Sequence, residues 1–169
     1  MHLEKIPHRM TLTDFRKVFP AGKIREPKQS DYDESLWEEM KLNFFANFTE
    51  DTSAGEILYQ LTFRREILSF LQLNINGDFN EEGYSKLAGV AREIIALGAL
   101  RGIGAPVEQS PLLAWKDLIQ SPLPDSGRPE DRFIPVLNAT WKPDGYKVTL
   151  RYDWTWPGQL YLEYREEIC

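Results

Sequence analysis

The chain has one cysteine, Cys169, and two histidines, His2 and His8, in 169 residues. A single cysteine excludes an internal disulfide framework and any cysteine-rich zinc site. Histidine is the usual base of nucleophilic triads. Here both histidines stand among the first eight residues, where the sequence predicts mobile terminal side chains rather than catalytic ones. No segment approaches the roughly 20 consecutive apolar residues that span a bilayer. Glu4, Lys5 and Arg9 interrupt the N-terminus too early for a signal peptide. The expectation is a cytoplasmic protein with no membrane partner. Basic residues are in deficit, 20 against 26 acidic ones, for a net charge of −6. That balance argues against a general nucleic-acid binder, whose surface must neutralise phosphates. What the chain does possess is apolar material, 42 % hydrophobic and 12 % aromatic, which is too much for a disordered segment. At this length it can close a core without metal or disulfides.

The charge is unevenly placed. Residues 1–30 carry seven bases against three acids, 31–131 carry eight against eighteen, and 132–169 carry five of each. This divides the chain into a basic N-terminal leader with a short helix (1–30) and a single α+β domain (31–169). The leader reads as docked on the acidic body or solvated.

Periodicity supplies the elements. Thr13-Asp14 ahead of Phe15, Val18 and Phe19 predicts a short helix stopped by Pro20. Trp37, Met40, Lys41, Phe44, Phe45 and Phe48 follow one another at three- and four-residue spacing, which predicts a helix capped by Ser30 or Asp33 and running through Phe48. Residues 56–75 read two ways. Ser53-x-x-Glu56 is a capping box that favours a helix. The alternation of Ile57, Tyr59, Leu61 and Phe63 with Gln60 and Thr62 favours two strands, although Arg64-Arg65-Glu66 is poor turn chemistry between them. A helix from Asn80 carries Tyr84, Leu87, Ala91, Ile94 and Ile95, and Gly98 ends it. Ser110-Pro111 reads as the start of another helix through Leu112, Trp115, Leu118 and Ile119. Tyr146, Val148, Leu150, Tyr152 and Trp154 then alternate with Lys147, Thr149, Arg151 and Asp153, a half-buried strand. Pro143-Asp144-Gly145 before it and Trp156-Pro157-Gly158 after it are turns, so the C-terminus is a three-stranded meander. The fold class is therefore α+β, with helices packed on one face of an antiparallel sheet.

Catalytic and ligand motifs fail one after another. Gly98-x-x-x-Gly102-x-Gly104 follows a helix rather than a strand and lacks the spacing of a dinucleotide loop. Asn76 to Leu87 offers oxygen ligands at the first positions of a calcium loop, but Glu81 stands where glycine is required and Leu87 where a bidentate Glu is required. Asp78-x-x-Glu81 as a capping box accounts for the same residues. Adjacent carboxylates (Glu38/Glu39, Glu81/Glu82, Glu130/Asp131, Glu166/Glu167) point in different directions and read as solvated faces. No catalytic residue, metal ligand or cofactor is expected.

The C-terminal sheet carries the positive indication. Tyr146, Tyr152 and Trp154 should pack against the helices. Tyr161 alternates against Leu160 and Leu162 and should face outward beside Arg151 or Glu163, and Trp156 sits at a turn tip. Exposed Trp, Tyr and Arg are enriched at binding hot spots. The stretch Trp141-Lys-Pro-Asp-Gly-Tyr-Lys-Val-Thr-Leu-Arg-Tyr-Asp153 resembles the closing hairpin of YezG-like immunity proteins, small acidic proteins that bind and neutralise a cognate bacterial toxin. The resemblance is confined to this hairpin. The basic leader and the proline-rich stretch 121–131 depart from it. It implies a small non-enzymatic protein-binding module, an immunity protein or inhibitor of a toxin or enzyme. Carboxylates Glu38, Glu39, Glu81 and Glu82 would steer a basic partner, with Trp156 and Tyr161 as desolvated anchors. A structural or adaptor subunit of an oligomeric assembly, viral or otherwise, a carboxylate-dependent enzyme, a homo-oligomer and a nucleic-acid contact through residues 1–30 remain alternatives.

Overall fold

The computed structural model describes residues 1–78, 80–121, 133–154 and 158–167. Among these, strands β1 (Lys23–Arg25), β2 (Asn43–Thr52), β3 (Gly55–Arg64), β4 (Ile67–Gly77), β5 (Glu108–Gln109), β6 (Ile134–Trp141), β7 (Tyr146–Trp154) and β8 (Gly158–Glu166) form one sheet. Their order is β1-β2-β3-β4-β8-β7-β6-β5, with every neighbouring pair antiparallel. Two meanders thus meet at a central β4–β8 seam. The sequence between their halves contains the longest helix, α3 (Glu81–Leu97), which lies across β4, β8 and β7. The edge strands β1 and β5 have three and two residues, too short to template the pairing of another chain.

The period of two decides the two faces. Ala46, Ile57, Tyr59, Leu61, Phe63, Leu71, Leu73, Ile75, Leu160, Leu162, Tyr164, Val148, Leu150 and Tyr152 turn to the inner face and are buried. Each fully buried large apolar side chain there contributes about 1.5–3 kcal/mol. Asn80 begins α3, its Oδ1 accepting the Gly83 N–H at 2.7 Å. Gly98, at φ +81°, ends it. Tyr84, Leu87, Ala88, Ala91 and Ile94 form the buried helix face. Short helix α1 (Leu12–Val18), capped by the Thr11 hydroxyl, covers the β2–β3 side of this layer. Phe15 there meets Phe19, Phe48 and Phe63. On the opposite side Trp115 at the start of α4 (Trp115–Gln120) packs on Tyr84 and Trp154. Tyr84 Oη donates to Leu113 O at 2.6 Å, and Trp141 Nε1 donates to Gly104 O at 3.0 Å, so the connecting loops are tied to the same layer.

The α+β class and the C-terminal meander are as the sequence indicates, and residues 56–75 are two strands. Their turn closes on Arg65 and Glu66, both at positive φ. The N-terminal segment shares the core, because Leu3, Ile6, Met10, Leu12 and Phe15 are buried and β1 pairs with β2.

Four local expectations are corrected. Helix α2 stops at Met40, and Asn43–Thr52 is a strand. Phe44 and Phe48 lie four residues apart, a spacing that puts two side chains on one face of a helix and equally of a strand. Pairing with β3 selects the strand. Ser110 does not cap a helix. Its Oγ accepts the Asn138 N–H at 2.8 Å at the sheet edge, and α4 begins at Trp115. The cap of α3 is Asn80 rather than Asp78. The histidines are engaged with the body of the protein. His8 Nδ1 lies 3.1 Å from Tyr164 Oη and its ring meets Tyr146 edge-on, while the backbone N–H of His2 donates to Glu50. Burial lowers the His8 pKa, with Arg9 acting in the same direction.

Candidate functional site

The face of β4, β8 and β7 turned away from α3 presents the second set of alternating residues. Along β8 these are Gln159, Tyr161, Glu163 and Arg165. Tyr161 stands in register between Asn74 on β4 and Arg151 on β7, and Glu163 between Gln72 and Thr149. Asn74, Thr149, Arg151, Tyr161 and Glu163, with Phe133 just before β6, line a groove of about 440 Å³ that also reaches Asp153 and Gln159.

The groove is held by a set of polar contacts. Tyr161 Oη donates to Glu163 Oε2, and Arg165 Nε lies 3.5 Å from Glu163 Oε1. Arg151 Nη2 pairs with Asp153 Oδ2 at 3.0 Å, while its guanidinium sits 5.9 Å from the centre of the Phe133 ring. Burial and the neighbouring Glu163 carboxylate push the Tyr161 phenol up to about 12, so it is a neutral donor at physiological pH. Asp153 is 8 % exposed, and among the described residues its Oδ1 has no hydrogen-bond partner. Burial raises its pKa against the pull of Arg151.

Asp153 and Glu163 stand apart along the strands. Asp153 is opposite Gln159, four residues from Glu163 along β8, so about 13 Å of strand separates the two positions. Among the described residues no group of three or more His, Cys, Asp or Glu side chains is arranged to hold a metal ion. Phe133 at 57 % exposure, Arg151 and the partly buried Tyr161 instead offer one aromatic-and-guanidinium surface on a rigid sheet.

The outward position of Tyr161 beside both Arg151 and Glu163 is where alternation places it. The carboxylates lie elsewhere. Glu38 and Glu39 are on α2, where Glu38 pairs with Lys41 and Glu39 stands 4.0 Å from Arg64. Glu81 and Glu82 occupy the first turn of α3, on the other side of the sheet from Tyr161. Lys86 bonds Glu82 at 2.6 Å and lowers its pKa. The structure therefore gathers none of these four carboxylates at the Tyr161 groove, whose own charged residues are Arg151, Asp153 and Glu163, with Arg165 paired to Glu163 from outside it. Trp156, the other expected anchor, lies outside the described residues, as do Glu130, Asp131 and Cys169. Sequence reasoning missed Phe133 and the burial of Asp153. Asp153 could be found as an outward strand position, but its burial depends on neighbours distant in sequence.

Compared with known proteins, the chain matches no family model, no curated protein and no solved structure. Among the described residues no helix is long and apolar enough to cross a membrane.

Proposed function

We propose that this protein is a non-enzymatic binding module that docks a protein partner on the outer face of β8 and β7, most concretely as an immunity protein or inhibitor that occludes a toxin or enzyme. The observation that carries the reading is the groove itself. Tyr161, Arg151 and Phe133 are of the residue types that supply hot spots or interface cores, and they sit together on a sheet whose other face is filled by helices. The ion pairs of Arg151 and Arg165 hold these side chains in place before a partner arrives, which reduces the ordering cost of association. The acidic surplus of the rest of the molecule favours rapid encounter with a basic partner.

The test uses the intact protein as bait in its native host. A stoichiometric partner is captured and its enzymatic or toxic activity is titrated with wild type and with Tyr161→Ala. The expected result is inhibition by wild type and at least tenfold weaker inhibition by the variant, in line with hot-spot truncations. Equal inhibition by both would move the binding surface away from this groove. A weakening on charge reversal at Glu81 and Glu82 alone would place it on the helical side. Capture of a partner whose activity is unchanged would remove the inhibitor reading.

A further inference from the structure

A second site lies at the end of the sheet where the β3–β4 turn meets the N-terminal segment. Arg9, Arg64 and Arg65, with Ser69, Tyr146 and Glu166, line a polar pocket of about 320 Å³. Arg9 comes from the N-terminal segment, Arg64 from the end of β3 and Arg65 from the turn itself. Three arginines and a single acidic residue, Glu166, thus line it. Among the described residues Arg64 alone of the three makes an ion pair, with Glu39 at 4.0 Å, and that contact is the long limit of such a pair. Tyr146 is buried against Tyr164 with ring centres 4.8 Å apart, and burial raises its pKa, so its hydroxyl stays protonated.

The backbone around this pocket is strained. Four described non-glycine residues have positive φ: Arg9 at 57°, Arg65 at 51°, Glu66 at 66° and Ala99 at 64°. Arg9 and Arg65 line the pocket, and Glu66 stands in the chain between Arg65 and Ile67, which also lines it. Such backbone is unfavourable and persists where surrounding structure over-determines it, commonly at ligand clamps. Here that surrounding structure is visible. The N–H of Leu12 donates to Glu66 O at 2.8 Å, Leu68 N–H to Met10 O at 2.9 Å and Arg65 N–H to Leu42 O at 2.9 Å. Arg9 N–H donates to Tyr164 Oη at 3.3 Å. A β-hairpin of this turn type is normally closed by Asn-Gly or Gly-Gly. Arginine at its first central position is unfavourable for the turn and places a cation at the mouth of the pocket.

We infer that this pocket binds the phosphate group of a small phosphorylated ligand, clamped by Arg9, Arg64 and Arg65. A phosphate dianion offers three acceptor oxygens to planar guanidinium forks, the pairing for which arginine is better suited than lysine. The volume is at the low end for ligand sites and admits a phosphate with a small organic group rather than a large cofactor. The pocket shares no lining residue with the Tyr161 groove.

Two turn variants separate ligand binding from strain. Glycine accepts positive φ at no steric cost, so Arg65→Gly and Glu66→Gly should both raise the melting temperature of the ligand-free protein. Binding is measured by calorimetry with inorganic phosphate and with pyrophosphate as probes, and with acetate and a short single-stranded oligonucleotide for comparison. Glu66→Gly should bind pyrophosphate as wild type does. Arg65→Gly should bind at least tenfold more weakly, the loss of one charge-assisted contact, and Arg9→Gly should do the same. Pyrophosphate affinity unchanged in both arginine variants would overturn the assignment. So would failure of wild type to bind either phosphate probe, or preference for acetate or the oligonucleotide over both.

Discussion

Two glycines in α3 should respond to the same substitution with opposite signs. In a helix interior Gly→Ala is worth about 1 kcal/mol of stability, because alanine has less backbone freedom to lose. At Gly89 a new Cβ would meet nothing within 4 Å, so Gly89→Ala should realise this gain. For a chain of this length about 1 kcal/mol raises the melting temperature by roughly 2–4 °C. At Gly83 the new Cβ would fall 2.1 Å from the Asp78 carbonyl oxygen and 2.9 Å from the Asp78 C and N atoms. These are backbone atoms and cannot rotate away, so the first helical turn must shift. That overpacking costs about 1–3 kcal/mol. The shift also weakens the 2.7 Å bond from Gly83 N–H to Asn80 Oδ1, a cap contributing about 1 kcal/mol. Set against the helix-propensity gain, the net loss is about 1–3 kcal/mol, or a fall of roughly 2–12 °C. The consequence reaches the candidate site, because α3 is seated closely on the strands behind Tyr161. A Cβ at Gly77 would lie 2.8 Å from Leu87 Cδ1, and one at Gly158 3.5 Å from the same atom. Scanning calorimetry of both variants in one buffer decides the matter. Equal melting temperatures for Gly83→Ala and Gly89→Ala would refute the close approach of α3 to the Asp78 backbone.

Asp153 has a raised folded pKa against an ordinary value of 3.8. Its contribution to stability is therefore fully present below that value and is lost as pH rises through the folded pKa. Asp153→Asn should remove this loss, so as pH rises from about 4 the denaturant midpoint should drift in the destabilising direction less in the variant than in wild type. Parallel profiles would contradict the burial of this carboxyl. Glu163→Gln should lower the titration of the Tyr161 phenol from about 12, since the carboxylate is one of the groups that raise it. Near-ultraviolet phenolate absorbance, taken as a difference from Tyr161→Phe, reads this directly. An unmoved titration would leave burial as the sole cause.

The strongest local signals were legible in the sequence. Strict alternation from Tyr146 to Trp154, with Pro-Asp-Gly ahead of it, specifies a half-buried strand whatever its neighbours. The same parity puts Tyr161 on the outer face beside Arg151 and Glu163. The stripe from Tyr84 to Ile94 likewise specifies α3, ended by a glycine that takes positive φ. Asn43–Thr52 shows the limit of such reading. Its aromatic spacing satisfies helix and strand alike, and only the ladder from Asn43↔Arg64 to Thr52↔Gly55 resolves it. Burial of the charged Asp153 was equally invisible, because alternation states which face a residue takes and not what lies over it.

The chain's own pattern thus determined the α+β class, the C-terminal meander and the outward aromatic of the groove, because each follows from periodicity within a few turns or strands. Tertiary structure alone decided that the N-terminal segment shares the core and that four acidic side chains stand away from Tyr161. It also decided that Arg9 meets Arg64 and Arg65 at one pocket. Those arrangements join residues far apart in sequence, and the hydrogen bonds from Leu12 to Glu66 and from Leu68 to Met10 that hold the strained turn have no local signature.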